Sequence, residues 1–281
     1  MKIYPVIDTE ECTRCGLCRK DCVANAIEEA TMTVNNDLCI RCSHCSAICP
    51  VGAVAFNGET GTLLNKLPEN MDLYFETLIK RRRSIRHYKN KILDDSTIKR
   101  ILEIVNHAPT GTNSQKVSVT VVNSFEKMHE LSDIAMRFFR FLMSVLINPF
   151  TYPIIVLLSG FKGLKRLVYY KKNINRYFEG ENILTHDAPA LFVFHVSKRS
   201  SCPSEDGVIW ATTAALYAES LGLGTCYNGF LVRGINSSDR LRRFLNIPKT
   251  NKVYEVFTAG YPDVKYVRSA YKSELKSTVI I

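Results

Sequence analysis

The pattern of apolar and polar positions changes character near residue 60. Before it, apolar residues are short and isolated, set between cysteines and turn formers, and Asn57-Gly58-Glu59-Thr60-Gly61 closes the stretch as a turn. A connector leads to Pro68, and from Met71 the pattern turns helical and runs into Lys80-Arg81-Arg82-Arg83. Asp94 and Asp95 can cap a helix with Ile98, Ile101, Leu102 and Val105 on one face, stopped by Pro109. Val117 to Val122, Leu191 to Val196 and Val253 to Thr258 read as strands, the last closed by Gly260-Tyr261-Pro262. Phe125 to Phe139, Asp206 to Leu221 with Gly222 as its stop, and the stretch after Ser238 read as helices. Residues 269–281 form a polar tail with an apolar end. Alternating helices and single strands predict an α+β or α/β body. The boundaries are a small unit at 1–60, a linker at 61–71 and a body at 72–281.

One stretch has no charge at all. Phe141 to Phe161 spans 21 residues, and about 20 apolar residues suffice for a membrane helix. Asn148, Pro149 and Pro153 interrupt it, and cations flank both ends (Arg137, Arg140; Lys162, Lys165, Arg166), so no orientation follows. The expected role is a buried or subunit-interface segment, without membrane contact. Tyr152, Tyr169 and Tyr170 are expected as core aromatics.

Composition adds charge asymmetry and redox context. The 281 residues are 46% hydrophobic and 23% charged, as in ordinary soluble proteins. Residues 1–60 carry 5 Lys+Arg against 8 Asp+Glu, a net −3, which leaves +13 on the rest. The cations are dispersed and no nucleic-acid motif accompanies them, so nucleic acid is not an expected partner. Eight of the ten cysteines fall between Cys12 and Cys49. Met1-Lys2-Ile3-Tyr4-Pro5 leads straight to Asp8, Glu10 and Glu11 with no apolar signal core, so a reducing cytoplasm is expected, where thiolates bind metals. Cys202 and Cys226 read as small apolar residues, and His195, inside a strand, as structural.

The cysteines form a repeat. Cys12, Cys15, Cys18 and Cys22 recur 27 residues later as Cys39, Cys42, Cys45 and Cys49, and Ala26-Ile27 recurs as Ala53-Val54. Each run reads C-x2-C-x2-C-x3-C. Three cysteines so close can hold three corners of a cubane, whereas the fourth sits on a following turn. Zinc sites show paired C-x2-C units well apart, and disulfides suit a secreted chain. Residues 1–58 resemble bacterial-type two-cluster ferredoxins, although Val23 stands where the pattern has proline. The resemblance implies two [4Fe–4S] clusters with crossed ligation, one on Cys12, Cys15, Cys18 and Cys49, the other on Cys39, Cys42, Cys45 and Cys22.

Three pieces of the body suit a flat anionic cofactor. Arg81-Arg82-Arg83-Ser84-Ile85-Arg86 offers cations and a hydroxyl at a helix end. Ala108-Pro109-Thr110-Gly111-Thr112-Asn113-Ser114-Gln115 is a turn-prone loop ending in amides, and Gly222-Leu223-Gly224-Thr225 allows close backbone approach without forming a Rossmann fingerprint. In this order they resemble the nitroreductase superfamily over residues 72–268, with Lys116-Val117 where many members have Pro-Trp. The resemblance implies a mostly antiparallel sheet flanked by helices and FMN bound at a homodimer interface. It implies Arg82 and Ser84 on the phosphate and Arg86 at the ring's N1/O2 edge. Asn113 from the partner, with Gln115 beside it, meets the pyrimidine side. Leu223 and Gly224 lie near N5, and Arg268 with Lys265 completes the phosphate site.

The whole resembles ferredoxin–nitroreductase fusions. The implied activity passes electrons from a donor, reduced ferredoxin or flavodoxin or else NAD(P)H, through two clusters to FMN. FMN then reduces a small electron-poor acceptor such as a nitroaromatic or quinone. The competing reading is a non-enzymatic electron-transfer adaptor or redox sensor.

Overall fold

The computed structural model describes residues 3–148 and 150–280, with side chains at all of these except 152–156 and 159. The chain forms two units. The first spans residues up to Glu69 together with the loop Thr110–Gln115; the second comprises Asn70–Pro109 and everything from Lys116.

In the first unit, β1 (Pro5–Ile7) pairs antiparallel with β2 (Val54–Phe56). Between them lie two single-turn helices, α1 (Leu17–Lys20) and α2 (His44–Ala47). The sequence repeat is a structural one. Arg14 and Arg41 both adopt left-handed backbone, φ 55° and 57°, as do Gly16 and Ser43 at the two helix starts. Asp8 N–H donates to Ala53 at 2.8 Å, and its counterpart Asn35 N–H donates to Ala26 at 2.7 Å. The halves are thus tied by reciprocal bonds. The buried apolar core is thin: Ile7, Ile27, Met32 and Val54 around Cys18. A unit of this size needs a further source of stability.

The second unit opens with α3 (Met71–Arg81) and α4 (Asp95–Val105), then β3 (Val117–Asn123), α5 (Phe125–Leu146) and α6 (Tyr152–Phe178). It continues through β4 (Ala190–Ser197), α7 (Pro203–Ser220), β5 (Gly224–Tyr227), α8 (Gly229–Ser237), α9 (Asp239–Phe244) and β6 (Asn251–Gly260). The strands form one antiparallel sheet in the order β3-β4-β6-β5. Side chains alternate across β4. Leu191 and Val193 join the core with α5, α8 and α9, while Phe192 and Phe194 join Phe257 and the α4–α7 side. Ala211, Ala214, Ala215 and Ala218 line the buried face of α7, and such small side chains let it lie close to the sheet. The fold is α+β with helices on both faces.

Three differences from the sequence reading have clear causes. Residues 222–225 are not all loop. Gly222 (φ 79°) ends α7, but Gly224 begins β5. The unanticipated α8 is capped by Asn228, whose Oδ1 accepts from Leu231 N–H at 2.9 Å. The uncharged stretch is buried only in part: Met143 is in the core, whereas Phe141, Phe150, Leu157, Leu158 and Phe161 are exposed. The inward positions of α5 and α6 are already taken by Met136, Phe139, Met143, Leu164 and Ile174. Gly160 (φ 65°, ψ 178°) kinks α6. Among the described residues no helix is long and apolar enough to cross a membrane. Tyr169 is exposed and Tyr170 packs on Phe230, while the Tyr152 side chain lies outside the described residues.

His195 is buried with both ring nitrogens engaged. Asn251 Nδ2 donates to Nδ1 at 2.9 Å, leaving Nε2–H for the Thr120 hydroxyl at 3.1 Å. Burial, with Arg242 nearby, lowers its pKa from 6.5 to about 4. Above pH 6.5 the ring is neutral whether folded or not. Below it the unfolded chain takes a proton that the folded ring refuses. The second unit should therefore lose about 2 kcal/mol between pH 6.5 and 5. Denaturant titrations at the two pH values check this, and H195Q should flatten the slope.

Candidate functional site

The cysteines come first. Cys22, Cys39, Cys42 and Cys45 border one pocket, flanked by Ile27 and Val34. Cys22 belongs to the first run and the other three to the second. Burial pushes the Cys45 thiol up to about 11, and the nearby Cys42, Cys39 and Cys18 thiols push the same way. Cys18 is also raised by burial, with Cys12 and Cys15 as neighbours. Such groups ionise only if a positively charged centre compensates them. Backbone amides already point at sulfur: Arg14 N–H to Cys12 Sγ and Arg41 N–H to Cys39 Sγ, each at 3.4 Å, and Ala26 N–H to Cys22 Sγ at 3.3 Å. Among the described residues no group of three or more His, Cys, Asp or Glu is gathered closely enough to hold a metal ion. All ten cysteines are free of disulfides. The donor set fits a cubane cluster.

The second site grows from the end of α3. Arg82 leaves the helix with ψ 126°, and the chain continues extended beside β5. Ser84 bridges Thr225 in parallel, and Ile85 N–H donates to the Thr225 carbonyl at 3.0 Å. Tyr88 anchors the far end, its hydroxyl donating to the Ile85 carbonyl at 2.8 Å and meeting Thr258 at 3.0 Å. Extended chain alternates sides. Arg82, Ser84 and Arg86 therefore share one side, where all three act on the buried Cys226 thiol; burial raises that thiol while the three basic and hydroxyl groups hold it down. Ile85 points the other way, into the core. The buried Nη1 of Arg82 has no hydrogen-bond partner. A buried guanidinium N–H without an acceptor is costly and fits an anionic guest such as a phosphate.

Arg86 opens into a pocket of about 790 Å³ with Cys226, Tyr227, Asn228, Gly229 and His186. Burial lowers the His186 pKa, with Arg86 and His87 acting in the same direction, so its ring is neutral at pH 7. The N-terminus of α8 begins here, and its dipole adds to Arg86 in favouring negative charge.

Leu223 and Gly224 lie elsewhere. With Lys265, Arg268 and Arg81 they border a separate hollow of about 1530 Å³ on the other side of the Arg82–Arg86 segment. A Cβ on Gly224 would sit 2.4 Å from Ile85 Cγ1. The glycine lets the Ile85 strand approach, and the residues that share the pocket with Arg86 are Tyr227, at the end of β5, with Asn228 and Gly229 at the start of α8. G224A should cost about 3 kcal/mol. Adding I85A should recover more than additivity allows, which thermal melts of the single and double variants would show.

Asn113 and Gln115 are in the first unit. The Asn113 amide donates to the Arg41 carbonyl, between Cys39 and Cys42, at 2.5 Å, and Gln115 Nε2 donates to Asn113 Oδ1 at 3.3 Å. The amide assigned from sequence to a flavin edge is thus spent here on the cysteine loop. Thr112, Asn113 and Gln115 all have φ near 50°, a cluster of strained residues of the kind found at functional loops.

A family model described as the nitroreductase family matches residues 79–261. The chain belongs to the nitroreductase family. A 4Fe-4S binding domain model matches residues 32–55, so a ferredoxin-type domain precedes the nitroreductase domain in one polypeptide. No curated protein matches. Among solved structures, a nitroreductase with bound FMN from Bacteroides fragilis aligns with 74% of this chain and 98% of its own, at 20% identity and a TM-score of 0.56. An FMN-bound nitroreductase from Desulfitobacterium hafniense covers 73% and 97%, at 20% identity and 0.55. An FMN-dependent nitroreductase from Clostridium difficile covers 74% and 100%, at 21% identity and 0.53. At these identities the likeness shows the nitroreductase fold. The domain is that of an oxidoreductase of this family.

Proposed function

We propose that the chain is an iron–sulfur flavoprotein oxidoreductase, active as a cytoplasmic homodimer. It takes electrons from reduced ferredoxin, flavodoxin or NAD(P)H and delivers them to a small electron-poor acceptor such as a nitroaromatic or quinone. The observation that carries this is the crossed quartet of Cys22, Cys39, Cys42 and Cys45 around one pocket in a nitroreductase-family chain. The duplicated backbone supports a second cluster on Cys12, Cys15, Cys18 and Cys49.

When bound, the clusters carry single electrons and FMN carries pairs to substrate. Arg82, with its unpartnered Nη1, and Ser84 hold the FMN phosphate. Arg86 and the start of α8 hold negative charge at the ring's pyrimidine edge, with Tyr227–Gly229 in the place first given to Leu223 and Gly224. Lys265 and Arg268 supply further cations for the phosphate. Asn113 braces the Arg41 loop, and an approach to the partner's flavin would require it to leave that carbonyl.

Anaerobic reconstitution followed by iron, sulfide and FMN counts and an absorbance spectrum tests the reading. Zinc in the cysteine sites, or no FMN, would sink it. Flavin reduction without turnover on a panel of acceptors would favour an adaptor or sensor instead.

A further inference from the structure

Between Asp133 and Glu179 the chain has eight Lys and Arg and no Asp or Glu, so +8 of a total +10 lies in this one stretch. It forms the α5–α6 hairpin, and its two kinds of side chain are sorted in space. Along the second half of α6, Leu164 and Ile174 are buried, and Leu167, Tyr170 and Tyr177 pack on the body. Lys162, Lys165, Arg166, Lys171 and Lys172 are all exposed, as are Val168 and Tyr169. Arg137 and Arg176, at the ends, pair with Asp133 and Glu181. Next to this basic face, Phe150, Leu157, Leu158 and Phe161 are 88%, 85%, 80% and 68% exposed with no charged residue among them.

We propose that this hairpin docks the protein on an anionic lipid surface. The uncharged tip enters the headgroup–acyl boundary, and the cations of α6 meet lipid phosphates. Exposed apolar side chains grouped beside a basic helix face are the arrangement of an element that lies on a membrane. None of the described helices is fit to cross one. A second copy is a poor occupant, because a two-fold contact through this face would set the exposed cations of α6 against their own copies. An acidic protein would neutralise the cations but leave the apolar tip without a matching surface. The inference stands independently of the flavin and the clusters.

The test is flotation of the full-length holoprotein, kept anaerobic, with vesicles of phosphatidylcholine alone or mixed with phosphatidylglycerol. Flotation with the mixed vesicles should exceed that with phosphatidylcholine by about tenfold or more and weaken with added salt. L157D/L158D should lower it about tenfold, with turnover of a soluble acceptor unchanged. K162E/K165E changes only exposed cations and should do the same, so a folding defect in the first variant leaves the idea testable. The proposal is overturned by equal flotation with both lipids or by none. It is also overturned if both variants float like the parent, or if the parent is an oligomer that L157D/L158D dissolves without any lipid effect.

Discussion

Cys42→Ser should strip about half of the iron from the reconstituted protein, leaving one cluster in place. Turnover driven by ferredoxin or flavodoxin should fall by about two orders of magnitude. Turnover with NAD(P)H should persist if that donor reduces the flavin directly. The basis is the pocket that Cys42 shares with Cys22, Cys39 and Cys45. Hydroxyl for thiolate removes one corner of a site in which burial already pushes the Cys45 thiol up to about 11. The stability effect should be as large. The apolar cluster of the first unit is small, Ile7, Ile27, Met32 and Val54 around Cys18, and metal binding of this type is worth on the order of 10 kcal/mol of folding free energy. Chelating the iron under reducing conditions should unfold this unit and leave the melt of the second nearly unmoved, because the second has two large apolar cores of its own. Iron analysis, circular dichroism and calorimetry read these outcomes. Full iron in the Cys42 variant, or zinc in the parent, would remove the basis of the proposal.

R82A should weaken FMN binding by about 100-fold, with R82K recovering part of the loss. A charge-assisted hydrogen bond contributes about 1.5–3 kcal/mol, which corresponds to roughly tenfold to 150-fold in affinity. The Arg82 Nη1 is buried and unpartnered, so its desolvation cost is already incurred and an arriving phosphate oxygen has none of that to offset. R86A should act differently. Arg86 is exposed and borders the pocket with Cys226 and Asn228, so its loss should shift the flavin's reduction potential downward more than its affinity. Fluorescence titration of FMN and anaerobic potentiometry separate the two. Equal FMN content in R82A and parent would move the phosphate site elsewhere.

The 27-residue repeat was legible because cysteine spacing is a local property, and it reappears in the left-handed backbone at Arg14 and Arg41 and in reciprocal backbone bonds. The extended course of residues 82–86 beside β5 was not, since the sequence placed these cations at a helix end. Strands β3, β4 and β6 announced themselves through apolar runs, of which β4 is buried on both faces and β3 is only half-buried. By contrast β5 was hidden, because its glycine and cysteine read as loop. Gly224 belongs to a strand only because Ile85, remote in sequence, fills the space beside it. That same contact puts Leu223 and Gly224 across a strand from Arg86. The exposure of Leu157 and Leu158 was equally hidden: an uncharged run says nothing of which inward positions other residues have already taken.

Covalent spacing alone thus carried the cysteine repeat and the α+β fold class, since each depends on neighbours along the chain. Which pocket each group lines, which glycine meets a side chain instead of a cofactor, and which apolar run stays in solvent were settled by packing between residues far apart in the chain. Competition for the same volume is a property of the folded molecule, and no window of sequence contains it.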